Sequence, residues 1–400
     1  MNTRKIISTA LFLSLALSGY SQKATEKAPA QPNYKFTTVK ENPITSIKDQ
    51  AHSGTCWAFS ATSFLESEAI KKGTADTTLN LSEMWTVAHS YSDKAEKFVR
   101  LYGNLNFGGG SDFGDVFYDF AHYGAVPDSL MAGLNYGSKR HNHSEMDAVL
   151  KGYVEAEKNI SHPTTAWKRG FDDILGEYLG AYPHKFTYKG KEYTPKTFAA
   201  SLKLDMEDYV SITSYTHHPF YSSFIIEVPD NWRWDKSYNV PIDDIIKIID
   251  NAINKGYTVA WGADVSEKGF TRNGIATVPE DKSLNKDEAG TDKEKWVGKE
   301  KDSTVKAKQD SIPTEKEITQ EMRQKGYDQR YTTDDHGMQI FGIAKDQNGT
   351  KYYMVKNSWG KVGKYKGIWY VSESYVKYKT MNFVVNKHAL PKDIRKKLGL

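Results

Sequence analysis

Four hundred residues, 13% aromatic and 38% apolar, supply enough buried surface for a large domain or two lobes sharing an interface, so no disulfide or metal staple is required for folding. A net charge of +4 from 54 basic and 50 acidic residues, with acids interleaved through every basic stretch, argues against a nucleic-acid partner. The composition also lies well away from that of disordered chains.

Arg4 and Lys5 precede an apolar run from Ile6 to Leu17, followed by the small residues Ser18, Gly19 and Ser21. This pattern predicts a cleavable signal peptide over residues 1–21 and an exported protein, periplasmic or secreted. The run is too short to serve as a membrane anchor. Residues 22–33 are polar and unpatterned and read as a linker, which leaves 34–400 as the folded domain.

The chain has one cysteine. Exported proteins generally use cysteines in pairs, so a single thiol is either a small buried hydrophobe or a reactive group. Its surroundings favour the second. Trp57, Ala58, Ala61, Phe64, Leu65 and Ala69 recur at helical spacing after the turn Ser53-Gly54-Thr55, which is expected to supply a helix cap. Cys56 therefore opens a buried helix, where unpaired backbone N–H groups and the positive end of the dipole favour the thiolate. Gln50, six residues upstream, can add its side-chain amide to the Cys56 N–H as a second donor to an oxyanion.

Helical periodicity returns over residues 144–173 and 243–255, and residues 209–228 read as aromatic and β-branched strands with turns. Between 280 and 325 the sequence is rich in Lys, Asp and Glu and poor in apolar residues, which predicts an exposed excursion. Short His clusters at His141-Asn142-His143, His217-His218 and Asp335-His336 lack a second cluster at metal-ligand spacing. Neither a metal nor a cofactor is expected.

His336 stands at the head of an apolar strand, and Asp346-Gln347-Asn348-Gly349 is a hairpin signal before the next strand, which ends at Asn357-Ser358-Trp359-Gly360. A hairpin brings the two ends together. His336 is the candidate general base, Asn357 its orienting partner 21 positions on (357 − 336), and Trp359 a screen against water.

Gln50, the run Ser53-Gly54-Thr55-Cys56-Trp57-Ala58-Phe59-Ser60, His336-Gly337 and Asn357-Ser358-Trp359-Gly360, in this order, resemble papain-like cysteine peptidases. The resemblance implies an α+β fold of two lobes, a helical lobe carrying Cys56 and an antiparallel sheet or barrel lobe carrying His336 and Asn357, with the substrate cleft between them. Two departures stand out. Ser53 and Thr55 replace the first and third residues of the family's Cys-Gly-Ser/Ala-Cys-Trp signature, so its disulfide partner is missing. The gap from nucleophile to base is 280 residues (336 − 56) instead of roughly 130 to 150, which implies a large insertion.

Leu81-Ser82-Glu83, Gly109-Gly110, Tyr123-Gly124-Ala125-Val126-Pro127, Val240-Pro241-Ile242 and the run Val259 to Val265 extend the likeness to the branch containing bleomycin hydrolase and aminopeptidase C. It covers about residues 42–385, with a poor match over the charged stretch 280–325. The resemblance implies peptide substrates, substrate-binding roles for Gly109 and Gly110 on the cleft wall, and a homo-oligomer. In that branch a C-terminal arm lies in the cleft and its carboxylate holds the substrate's free amine. The basic stretch from Asn386 to Leu400 does not resemble that arm, so aminopeptidase and endopeptidase action both stay open. A catalytically silent peptide-binding homologue, and an acyl transferase or amidase working through the same Cys-His-Asn residues, are the alternatives to peptide hydrolysis.

Overall fold

The computed structural model describes residues 33–280 and 312–400. The expected signal peptide, all but the last residue of the linker, and residues 281–311 of the charged excursion lie outside them.

Two hydrophobic cores organise the chain. The first is built by helices: α1 (Cys56–Lys72), α2 (Glu83–Arg100), α3 (Phe113–Tyr123), α4 (Ser144–Glu157), α5 (Ala166–Leu179) and α6 (Pro195–Ser201). All six apolar residues that marked the cysteine helix are buried in α1, and so are Glu66 and Glu68 on its other faces. A helix buried all round belongs in the middle of a protein. It ends at Gly73, whose positive φ of 73° lets the chain reverse while its N–H bonds the Ile70 carbonyl. The periodic stretch 144–173 is two helices, α4 and α5; Pro163 lies between them and has no N–H with which to continue the ladder.

The second core lies on a mostly antiparallel sheet of eleven strands. Its centre runs Tyr209–Thr213, Thr380–Asn386, Val259–Ala263, His336–Lys345, Lys351–Lys356 and Ile368–Ser372, and Thr37–Glu41 pairs with the outer part of His336–Lys345. The predicted hairpin joins His336–Lys345 to Lys351–Lys356, with Asp346 accepting the Asn348 and Thr350 N–H groups across the turn. Helix α7 (Ile242–Asn254) covers this sheet with its isoleucines. The residues following 311 correct the expectation of an exposed excursion up to 325. Gln320–Asp328 forms a helix, α8, and Arg323 on it is fully buried, bonded through Nε to the Ser214 carbonyl at 2.8 Å and stacked over Tyr215. The aliphatic stem of an arginine does the packing that a composition count assigns to apolar residues.

Helix α1 seats its first turn directly on the sheet. Gly337 and Gly262 are register partners there. A Cβ on Gly337 would lie 2.6 Å from Ser60 Oγ and 3.2 Å from the Cys56 carbonyl, and one on Gly262 would lie 2.7 Å from Asn382 Oδ1. The glycine after His336 is therefore what lets the cysteine end of the helix approach the histidine strand.

Candidate active site

Cys56 is partly exposed at the first position of α1. The expected cap is not made. Thr55 occupies the cap position, yet its hydroxyl bonds Ser53 Oγ at 2.5 Å and no side chain accepts from the helix. An unfilled cap costs about 1 kcal/mol. It also leaves the first N–H groups of the helix, beside the sulfur, as donors for another acceptor.

His336 is buried, and its Nε2 lies 2.8 Å from Asn357 Oδ1. That oxygen also accepts the Ser358 backbone N–H at 2.7 Å, which identifies it as the carbonyl oxygen of the amide. Nε2 therefore carries the proton, and Nδ1 is the basic nitrogen. Trp359 stacks on the imidazole with ring centroids 4.7 Å apart. A hydrogen bond under an indole is shielded from competing water and holds the ring in one orientation.

Gln50 is fixed by the segment that fixes Asn357. Ser358 Oγ donates to Gln50 Oε1 at 2.6 Å, and the Gln50 N–H bonds the Ser358 carbonyl at 2.7 Å. With its oxygen held, the amide presents Nε2 as its donor end. Farther back, the buried Lys48 ammonium pairs with Glu66 at 2.9 Å and with Glu83, anchoring this loop to α1 and α2.

A cavity of about 220 Å³ is lined by Cys56, His336, Gly337, Trp57, Gly109 and Gly110, among others. Cys56, His336, Gly109 and Gly110 line it, and Asn357 and Trp359 stand behind the imidazole. Gln50 is held on Ser358 and does not line this cavity. The Trp57 indole N–H donates to the Gly109 carbonyl at 2.9 Å, and the buried Lys94 ammonium bonds the carbonyls of Gly108, at 3.2 Å, and Gly110. Burial lowers the pKa of Lys94 despite the nearby aspartates.

Sequence reading missed the loop that crosses this wall. Trp232 Nε1 donates to Ser111 Oγ at 2.6 Å, and Arg233 pairs with Asp115, with Asp93 at 2.8 Å and with Asp119 at 3.3 Å. These contacts bring Asp230 against Gly110, where a Cβ would lie 2.0 Å from its Oδ2. The only advance signal was the turn-forming run Pro229-Asp230-Asn231.

Elsewhere His217 and His218 meet Glu227 at 3.3 and 3.5 Å. Gln324 accepts the Thr216 N–H through its oxygen and donates to His217 Nδ1 at 3.1 Å. The Nε2 that faces Glu227 thus carries a proton and donates it to that carboxylate.

A model of the papain family of cysteine proteases matches residues 32–95, and one of the peptidase C1-like family matches residues 176–286 and 314–399. The chain belongs to the papain-like cysteine peptidases. This peptidase is 22% identical to aminopeptidase C of Lactobacillus helveticus, over 90% of this chain and 85% of that one. It is 21% identical to aminopeptidase C of Listeria innocua, over 98% and 91%. It shares its fold with PepW from Lactobacillus rhamnosis, with a TM-score of 0.65 at 19% identity over 91% of this chain and 84% of that structure. No helix of this peptidase, among the described residues, is long and apolar enough to cross a membrane.

Proposed function

We propose that this cysteine peptidase hydrolyses peptide bonds through a thioester on Cys56, with aminopeptidase C-like action on short peptides. The observation that carries the reading is that Cys56 and His336 line one cavity while Asn357 holds His336 Nε2, leaving Nδ1 as the base. In this mechanism Nδ1 takes the thiol proton and the sulfur attacks the scissile carbonyl. The Cys56 N–H and Gln50 Nε2 stabilise the oxyanion of the tetrahedral intermediate. The imidazolium then protonates the departing amine, and water, deprotonated by Nδ1, releases the acyl group and restores the thiol. Gly109 and Gly110 present their backbone to the substrate.

A panel of fluorogenic peptides, free or blocked at the N-terminus, tests this together with Cys56→Ala. The wild type is expected to cleave the panel and to lose activity on alkylation of its thiol, and the variant to be slower by about a thousandfold or more. Full activity in Cys56→Ala would remove the assignment. Cleavage of blocked peptides in preference to free ones would replace aminopeptidase with endopeptidase action, and peptide binding without turnover would favour the silent homologue. Transfer of the acyl group to an added amine would favour the transferase.

The N-terminal sequence supports export of this peptidase, with a mature chain starting near residue 22. N-terminal sequencing of protein recovered from its native cells checks this; an intact Met1 would contradict it.

A further inference from the structure

Five aspartates line the cavity that holds Cys56 and His336: Asp112, Asp147, Asp230, Asp334 and Asp335. No Lys or Arg lines it among the described residues. Three of the five have structural partners. Asp112 caps α3 and accepts from Asn382 Nδ2 on both its oxygens, at 3.0 and 3.1 Å, Asp147 accepts from the Tyr91 hydroxyl at 2.5 Å, and Asp335 accepts from Thr333 Oγ1 at 2.7 Å.

Asp230 and Asp334 differ. Asp230 accepts only from Asn106, at 3.2 Å on Oδ1, and the Asp334 carboxylate has no hydrogen-bond partner among the described residues. Lys94, whose charge favours the ionised form of Asp230, spends its hydrogen bonds on the carbonyls of Gly108 and Gly110, and Arg233 pairs with Asp93, Asp115 and Asp119. Burial first, and then the neighbouring carboxylates, push the Asp334 pKa well above its ordinary value, with Asp230 the largest of those neighbours. A buried carboxylate that faces a second carboxylate is relieved by a cation set between them.

The placement of the two is fixed by the fold. Asp334 is two residues ahead of His336 on the sheet lobe. Asp230 is carried by the loop clamped to the helical lobe through Trp232 and Arg233, and Asn231 closes that loop by donating to the carbonyls of Ile226 and Asp235 at 3.2 and 2.9 Å. The pair thus reaches from both lobes the cavity that Cys56, His336, Gly109 and Gly110 also line.

We infer that Asp230 and Asp334 form a specificity subsite that receives a positively charged group of the peptide, an ammonium or guanidinium next to the scissile bond. This rests on the peptidase reading of the same cavity. The charge comes either from the free α-amine of the peptide or from a Lys or Arg side chain.

Three coumarylamide substrates separate the two sources in the full-length protein: alanyl-alanyl with a free amine, its N-acetyl form, and N-acetyl-lysyl-alanyl. The wild type is expected to prefer one charged substrate over the neutral N-acetyl form, and the favoured one names the source of the charge. In Asp230→Asn and Asp334→Asn the ratio of kcat/KM for that substrate over the neutral one is expected to fall by about 30-fold. A wild-type rate of iodoacetamide reaction at Cys56 verifies that each variant is folded. An unchanged ratio in both folded variants overturns the inference. So does a wild type that cleaves all three substrates equally, a result independent of any variant, and in that case the peptidase reading stands. A wild type that cleaves none of them and whose thiol resists alkylation removes both.

Discussion

Asn357 positions the imidazole with one atom. Its carbonyl oxygen accepts from His336 Nε2 and from the Ser358 N–H, so the amide cannot rotate without losing two bonds, and the tautomer of the histidine follows from that. Glu68 shows the opposite situation, a titratable group whose burial is poorly compensated. One of its oxygens accepts from Asn386 Nδ2 at 2.9 Å, the other has no partner among the described residues, and burial outweighs Asn386, Lys71 and Lys72 to push its pKa up to about 7. Folding thus retains a proton that the unfolded chain gives up near its ordinary value of 4.5. The native state binds more protons across that window, so stability is greatest below it and falls as pH rises towards neutrality, by about 3 kcal/mol. Glu68→Gln removes the titration. Its melting temperature is expected to exceed that of the wild type at pH 8 and to match it near pH 4. A difference that does not vary with pH would contradict this account.

At the level of elements, what the sequence made legible was local. The period of apolar residues in α1, the hairpin closed by Asp346 and Gly349, and the strand headed by His336 each depend on neighbours a few residues apart. What it hid was nonlocal. Arg233 meets Asp93, Asp115 and Asp119 from 114 to 140 positions away, and no short-range pattern marks which of 54 basic residues will do so. The split between α4 and α5 at Pro163 was readable in principle, because a proline within a helical period ends or kinks it. The failed cap is subtler. Ser53 and Thr55 are both good capping types, and two hydroxyls two residues apart bonded each other in place of the helix. Position and residue type thus pointed to the correct helix start and the wrong partner.

At the scale of the molecule, the helical lobe does not seal its own core. The helical core includes Ala260 and Val384 from the sheet. The buried Gln339 on the histidine strand donates to the Ser63 carbonyl at 3.1 Å and to Ser67 Oγ at 2.8 Å, both on α1, and to Thr258 Oγ1 at 3.1 Å. Separating the lobes would expose apolar surface on both sides and strand a buried amide, a cost of about 1–3 kcal/mol for the polar group alone. Chains of this size commonly unfold in steps, lobe by lobe. Here the shared helix argues for one step. Urea unfolding followed by far-UV circular dichroism and by tryptophan fluorescence is expected to give coincident midpoints, because α1 cannot lose its sheet contacts while the helical core persists. A sheet signal that survives after the helical signal has been lost would show that the lobes are held together only at their surfaces, and that the geometry between Cys56 and His336 depends on docking instead of on a common core.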